Sequence, residues 1–211
     1  ATLSTTRTAV AGSNAHGSFN LENTSNIFSF SGGTIRIYDV TGTTANEAFD
    51  VKASLANISV TGGHLVIMPK SGPAGDPAYL AIHSTAPLWD LTVSRIDGTA
   101  FARMSTALAV LNDLNLTSGA LNANNLDLAV GGSFNIQAGT DYTPGTNTTT
   151  MNGTGPQILT VNTASALSLN NLTIDKPAGA PLTLSGSQGM LNVLGAFRLA
   201  AGTLNDGGKT V

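Results

Sequence analysis

The chain has no cysteine, and only 10% of its 211 residues are charged. The first absence excludes disulfide staples and thiolate metal sites. The second is far below the roughly 25% of an average globular domain, so the surface must be built from Thr, Ser, Asn and Gly rather than from ion pairs. Nine Lys and Arg against twelve Asp and Glu give a net charge of −3. The basic residues are scattered singly, which leaves no stripe to neutralise phosphates and excludes nucleic acid as a partner. No apolar run approaches the roughly 18 residues of a membrane span, and Ala1 to Arg7 lack the apolar core of a signal peptide. Aromatic residues make up 5%, with a single tryptophan.

What the chain does have is a repeated phrase. Leu114-Asn115-Leu116-Thr117-Ser118-Gly119-Ala120-Leu121-Asn122 returns as Phe197-Arg198-Leu199-Ala200-Ala201-Gly202-Thr203-Leu204-Asn205. Shorter copies begin at Phe28, over Gly32-Gly33, and at Ile58, over Gly62-Gly63. Each reads apolar-x-apolar, a small residue and Gly, then apolar again. Alternation places the large residues on one side of a strand, and glycine lets the backbone turn sharply into the next. The anchors Phe28, Ile58, Leu114 and Phe197 are separated by 30, 56 and 83 residues, close to one, two and three steps of roughly 28, inside the window of solenoids and too short for a propeller blade. The pattern predicts one all-β domain over residues 1–211, a right-handed parallel β-helix with coils of roughly 28 residues, in which Phe28, Phe30, Ile58, Val60, Leu114, Leu116, Phe197 and Leu199 point inward.

Around this frame, residues 1–26 are weakly patterned and make a poor cap. Three prolines in 69–77 predict a protruding loop, since proline has no N–H to give a sheet. Residues 140–156, around Pro144-Gly145, read as a second loop. Phe101 to Val110 allows a short helix, but its alignment with the repeat favours strand.

Residues 133–211 carry a recognisable text: Met151-Asn152-Gly153-Thr154-Gly155-Pro156-Gln157-Ile158-Leu159, then Leu172-Thr173-Ile174-Asp175-Lys176, then Leu199-Ala200-Ala201-Gly202-Thr203-Leu204. It resembles the repetitive β-helix segments of very large secreted surface proteins of Bacteroidota, the gliding-adhesin-like and haemagglutinin-like proteins that are type IX secretion substrates. The resemblance implies an extracellular, cell-surface location and a structural role, and carries no catalytic residue with it.

The densest chemical cluster is Trp89, Asp90, Arg95, Asp97 and Arg103. A tryptophan stacks on a sugar ring while carboxylates and guanidinium groups bind hydroxyls, so these five are candidate glycan contacts; the competing reading is a solvated, paired strand face. His16, His64 and His83 have no partner at i+2 or i+4 and read as surface or corner residues rather than zinc ligands. Asp113-Leu114-Asn115 begins like a calcium loop but lacks its glycine and distal glutamate. No serine-nucleophile or phosphate-loop motif is present. The expectation is therefore a non-enzymatic structural or adhesive segment of a large extracellular surface or filament protein, without metal or cofactor. The alternative is a polysaccharide-binding or polysaccharide-cleaving β-helix centred on Trp89. Neither end reads as a cap, which predicts partners that continue the stack: the rest of a longer chain or neighbouring copies, with surface glycans as a further partner.

Overall fold

Alternation over Leu114–Leu116, Phe134–Ile136 and Leu172–Ile174 sends every second side chain to one side of a short strand, and the computed structural model winds such strands into a parallel β-solenoid. The structure describes residues 2–7, 19–39, 47–68, 79–94, 101–162, 166–187 and 190–211. In chain order the first strands are β1 (Thr2–Arg7), β2 (Phe19–Leu21), β3 (Phe28–Asp39), β4 (Glu47–Val51), β5 (Ile58–Ile67) and β6 (Tyr79–Ser84). Five regular coils follow. They are β7 (Asp90–Ser94), β8 (Phe101–Met104) and β9 (Leu108–Val110); β10 (Leu114–Asn122), which bends across two faces, and β11 (Leu128–Val130); β12 (Phe134–Ile136), β13 (Thr140–Thr143) and β14 (Thr148–Met151); β15 (Gln157–Val161), β16 (Leu167–Leu169) and β17 (Asn171–Asp175); and β18 (Pro181–Ser185), β19 (Leu191–Val193) and β20 (Phe197–Ala201). β21 (Thr203–Asn205) returns to the first face.

The first face stacks β1, β3, β5, β7, β10, β12, β15, β18 and β21 in that order, all parallel. The second stacks β2, β4, β6, β8, the far half of β10, and β13. Above β13, β16 lies alongside without a ladder and pairs with β19. The third stacks β9, β11, β14, β17 and β20. Among the described residues the only helical element is a 3-10 turn at Leu55–Asn57. Leu108 to Val110 is strand, as the repeat required.

Ladder partners place like on like inside. Leu65, Leu91, Leu114, Phe134, Leu159 and Leu184 form one inward column on the first face, and Ile67, Val93, Leu116, Ile136 and Val161 another; all are buried. Each such side chain contributes roughly 1.5–3 kcal/mol. In the first coils the second face adds an aromatic cluster to the core: Phe19 stacks on Phe49 at 5.2 Å, and Phe28 of β3 meets both edge-on.

The corners obey the glycine argument. Gly33, Gly63, Gly119 and Gly202 all have positive φ, between 74° and 103°. At Gly63 a side chain is excluded twice, by its φ of 103° and because a Cβ would sit in the Phe30 ring.

Several expectations need correction. The coil is not a constant 28 residues: partners are 32 apart at Thr2 and Thr34, 30 at Phe28 and Ile58, 26 at His64 and Asp90, 23 at Leu91 and Leu114, 20 at Leu114 and Phe134, and 25 at Phe134 and Leu159. The surplus falls between the first-face and second-face strands, from Arg7 to Phe19, Asp39 to Glu47, Ile67 to Tyr79 and Ser94 to Phe101, whereas β10 crosses the same corner unbroken at Gly119. The repeated phrase therefore marks a corner, not a coil. In the Leu114 copy it turns from the first face to the second, and in the Phe197 copy from the third face to the first. Residues 1–26 contribute β1 and β2, and β1 pairs with β3 over six residues. The stretch 140–156, expected as loop, holds β13 and β14, because Tyr142 and Met151 alternate with polar neighbours and fill the core. The proline-rich stretch 69–77 lies outside the described residues.

Of the eight residues expected inside, Leu114 and Leu116 are fully buried and Phe28 nearly so. Phe30, Ile58 and Val60 are half-buried against the core. Phe197 and Leu199 are 46% and 48% exposed.

Candidate functional site

Of the five candidate glycan contacts, Trp89, Asp90 and Arg103 lie among the described residues. Asp90 opens β7 on the first face, with Trp89 half-buried at the corner before it. Arg103 stands on the second face, where its guanidinium lies 4.8 Å over the Tyr79 ring and donates to Asn124 Oδ1 at 3.0 Å. Arg95 and Asp97 lie outside the described residues. Asp90 is also occupied: its Oδ1 accepts from Asn112 Nδ2 at 2.8 Å and from the Asp113 N–H at 3.1 Å.

That bond belongs to a series. Asp113 Oδ1 accepts from the Ser133 N–H at 2.7 Å, Asp127 Oδ1 from Thr148 at 2.8 Å, Asn125 Oδ1 from Thr146 at 2.9 Å and Asn171 Oδ1 from Ala196 at 2.8 Å. In each, a side-chain oxygen on one coil holds a backbone N–H at a corner of the next, which would otherwise lack a ladder partner. Asp113, which resembles the start of a calcium loop, is one of these stitches. Asn135 Nδ2 donates to Asn115 Oδ1 at 2.9 Å, an amide ladder on the outer side of the first face.

Two polar clusters are buried. Lys176 is 1% exposed, and its Nζ donates to Gly153 O at 2.9 Å, Gly155 O at 2.8 Å and Gln157 Oε1 at 2.6 Å. Gln157, also buried, accepts from the Gly153 N–H and gives its Nε2 to the Val130 and Gly132 carbonyls. The ammonium and the Gln157 amide together tie three coils at one corner, with all three ammonium protons used. Burial pushes Lys176 below the ordinary lysine value. The second cluster lies in the core, where Tyr142 OH receives a bond from Asn147 Nδ2 at 2.8 Å and lies 3.1 Å from Thr149 Oγ1. Burial raises Tyr142 above 10.0, against the lowering effect of those two bonds.

Of the histidines, His64 Nε2 lies 2.8 Å from Thr92 Oγ1, and His16 is outside the described residues. His83 Nδ1 is 2.9 Å from Asp50 Oδ1, while Lys52 Nζ is 2.7 Å from the other oxygen, Oδ2. Among the described residues no group of three or more His, Cys, Asp or Glu comes together. A concavity lined by Val110, Leu111, Ala129, Gly131 and Gly153 carries no charged group.

The remaining feature is the upper surface of the last coil. All five residues of β20 are exposed, and Leu194 and Met190 nearby are 71% and 45% exposed. Thr210 bridges Met190, so the chain past β21 already follows the next step of the second face. Comparison with protein-family models, with curated proteins and with solved structures finds no match.

Proposed function

We propose that this chain is a non-enzymatic structural or adhesive segment of a large extracellular surface or filament protein, and that its last coil receives a further parallel coil. The observation that carries the reading is the register of β20: Phe197 pairs with buried Leu172 and Leu199 with buried Ile174, yet both are half exposed. Side chains aimed into a column, beside a strand edge with unpaired N–H and C=O groups, fit another strand of apolar-x-apolar pattern and little else. That strand belongs to the rest of a longer chain or to a neighbouring copy. The stitched carboxylates support the same reading, since Asp90, Asp113 and Asp127 are committed to backbone amides rather than gathered for acid–base work. The likeness of residues 133–211 to Bacteroidota surface proteins supports the extracellular setting.

Sedimentation of the chain against a Phe197→Ser, Leu199→Ser variant tests it. Association that rises with concentration in the parent and disappears in the variant is expected; a concentration-independent parent monomer refutes stacking between copies.

Glycan contact is the second reading, favoured by Tyr79 and Phe101, whose rings stack at 5.5 Å under Arg103. A half-exposed aromatic pair with a guanidinium suits a sugar ring on the second face. A glycan array with a reducing-end assay separates the two, because cleavage that disappears in Asp97→Asn refutes the non-enzymatic role.

A further inference from the structure

On the second face β2, β4 and β6 are successive ladder strands, and Asn20, Asp50 and His83 are direct partners across them. They therefore stand in one outward column, with rungs about 4.8 Å apart. Their inward neighbours Phe49 and Val51 fix the parity of β4. The column is unusual for its open valences. Asn20 Oδ1, Asp50 Oδ1 and His83 Nδ1 are all buried atoms that make no hydrogen bond among the described residues. Such atoms are costly when left unpaired. Asp50 is 2% exposed although it faces outward from the sheet.

The remaining bonds of these residues leave the three atoms on one column. Asn20 gives its Nδ2 to Glu22 Oε1 at 2.9 Å, which turns its carbonyl oxygen the other way. Lys52 holds Asp50 Oδ2 at 2.7 Å and leaves Oδ1 to the column. His83 Nδ1 and Asp50 Oδ1 are 2.9 Å apart but too oblique for a hydrogen bond. Two donors each about 2.1 Å from one divalent ion are about 3 Å apart at a right angle and about 3.4 Å apart at a tetrahedral one. The 2.9 Å between His83 Nδ1 and Asp50 Oδ1, without hydrogen-bond geometry, is close to the first and opens to the second with a small side-chain shift.

We infer that Asn20 Oδ1, Asp50 Oδ1 and His83 Nδ1 form a binding site for one divalent first-row transition ion, of which zinc is the test case. An imidazole nitrogen with two oxygens suits that class rather than calcium or magnesium, whose ligands are oxygens alone. Water completes the coordination. The ion clamps the first coils together where the corners are longest, and none of its ligands belongs to the stacking end.

Calorimetric titration of zinc into tag-free, chelator-treated full chain is the test. The expected result is one ion per chain, at least tenfold weaker binding in His83→Ala and in Asn20→Ala, unchanged binding in His64→Ala, and tighter binding in Asn20→Asp, which adds a carboxylate. Both alanine variants remove groups from the outer side of the sheet, and circular dichroism checks that each keeps its strands. If Asn20→Ala does not fold, Asn20→Asp alone decides, since an unaltered or weaker affinity there overturns the site. No uptake by the parent chain at 1 mM zinc overturns it, as does equal uptake by the parent and His83→Ala.

Discussion

Leu172 and Ile174 in β17 and Phe197 and Leu199 in β20 are ladder partners with the same alternation, yet the first pair is fully buried and the second is 46% and 48% exposed. One strand has a coil above it, and the other has none among the described residues. Alternation decides which way a side chain points, but burial in a solenoid is supplied by the next coil. The energetic difference should be large. Leu172→Ala removes side-chain volume from a closed column and is expected to cost about 2–5 kcal/mol by chemical denaturation. Phe197→Ala should cost under about 1 kcal/mol in dilute monomer, since half of that ring is already in water. Equal losses at the two positions would sink the comparison.

The second prediction concerns the polar tie of the closed coils. Lys176→Met keeps the length of the side chain but leaves Gly153 O, Gly155 O and Gln157 Oε1 without their donor. A loss of about 1–3 kcal/mol is expected. Lys209, the comparable lysine near the open end, donates to a single carbonyl, Gly186 O, at 2.7 Å. Lys209→Met should therefore change the same denaturation midpoint far less.

The corners sharpen the comparison further. Gly63 and Gly139 both have positive φ, but a Cβ meets the Phe30 ring at the first and open space at the second. Gly139→Ala reports backbone strain alone, about 1 kcal/mol, and Gly63→Ala reports strain plus collision, so its melting point should fall further.

How much of this was legible in the sequence depends on the range of the interaction. Strand direction at Leu114 and Leu116 and the positive φ of Gly33, Gly63, Gly119 and Gly202 follow from neighbours one to six residues away, and they hold. Coil length is not local. It depends on how many residues each corner takes, and the same apolar-x-apolar phrase marks two different corners, so a single 28-residue step misaligns Leu91 on the first face with Leu172 on the third. Residues 140–156 resembled loop because Thr is polar, whereas Thr149 is buried with its hydroxyl beside Tyr142. Asp90 and Asp113 looked like ligands until the offset between coils showed which N–H each one meets. His83 read as a surface or corner residue and Asp50 was not singled out, because a metal motif is sought at i+2 or i+4, and here the partners are 33 residues apart and side by side.

The smallest expected effect is alkaline. Tyr142 and Lys176 both lie in the closed coils, so the pH profile reports on those coils and not on the open end. Tyr142 is raised above 10.0 by burial, so between pH 10 and its folded value the unfolded chain loses the phenolic proton first. The folded state then binds more protons, and stability falls as pH rises through that window. Lys176 acts oppositely. Its folded value is below 10.5, so from that value up to 10.5 the unfolded chain binds more protons and stability rises with pH. The two effects oppose one another between pH 10 and 10.5, with the Lys176 rise below that overlap and the Tyr142 decline beyond it. Tyr142→Phe deletes the hydroxyl bonded by Asn147, at a cost of about 1 kcal/mol at neutral pH, and should abolish most of the decline while leaving the climb. Lys176→Met should do the reverse. Denaturant midpoints taken from pH 8 to 11 on the parent and both variants measure this. A decline of equal steepness in Tyr142→Phe would mean that another group governs the alkaline limit.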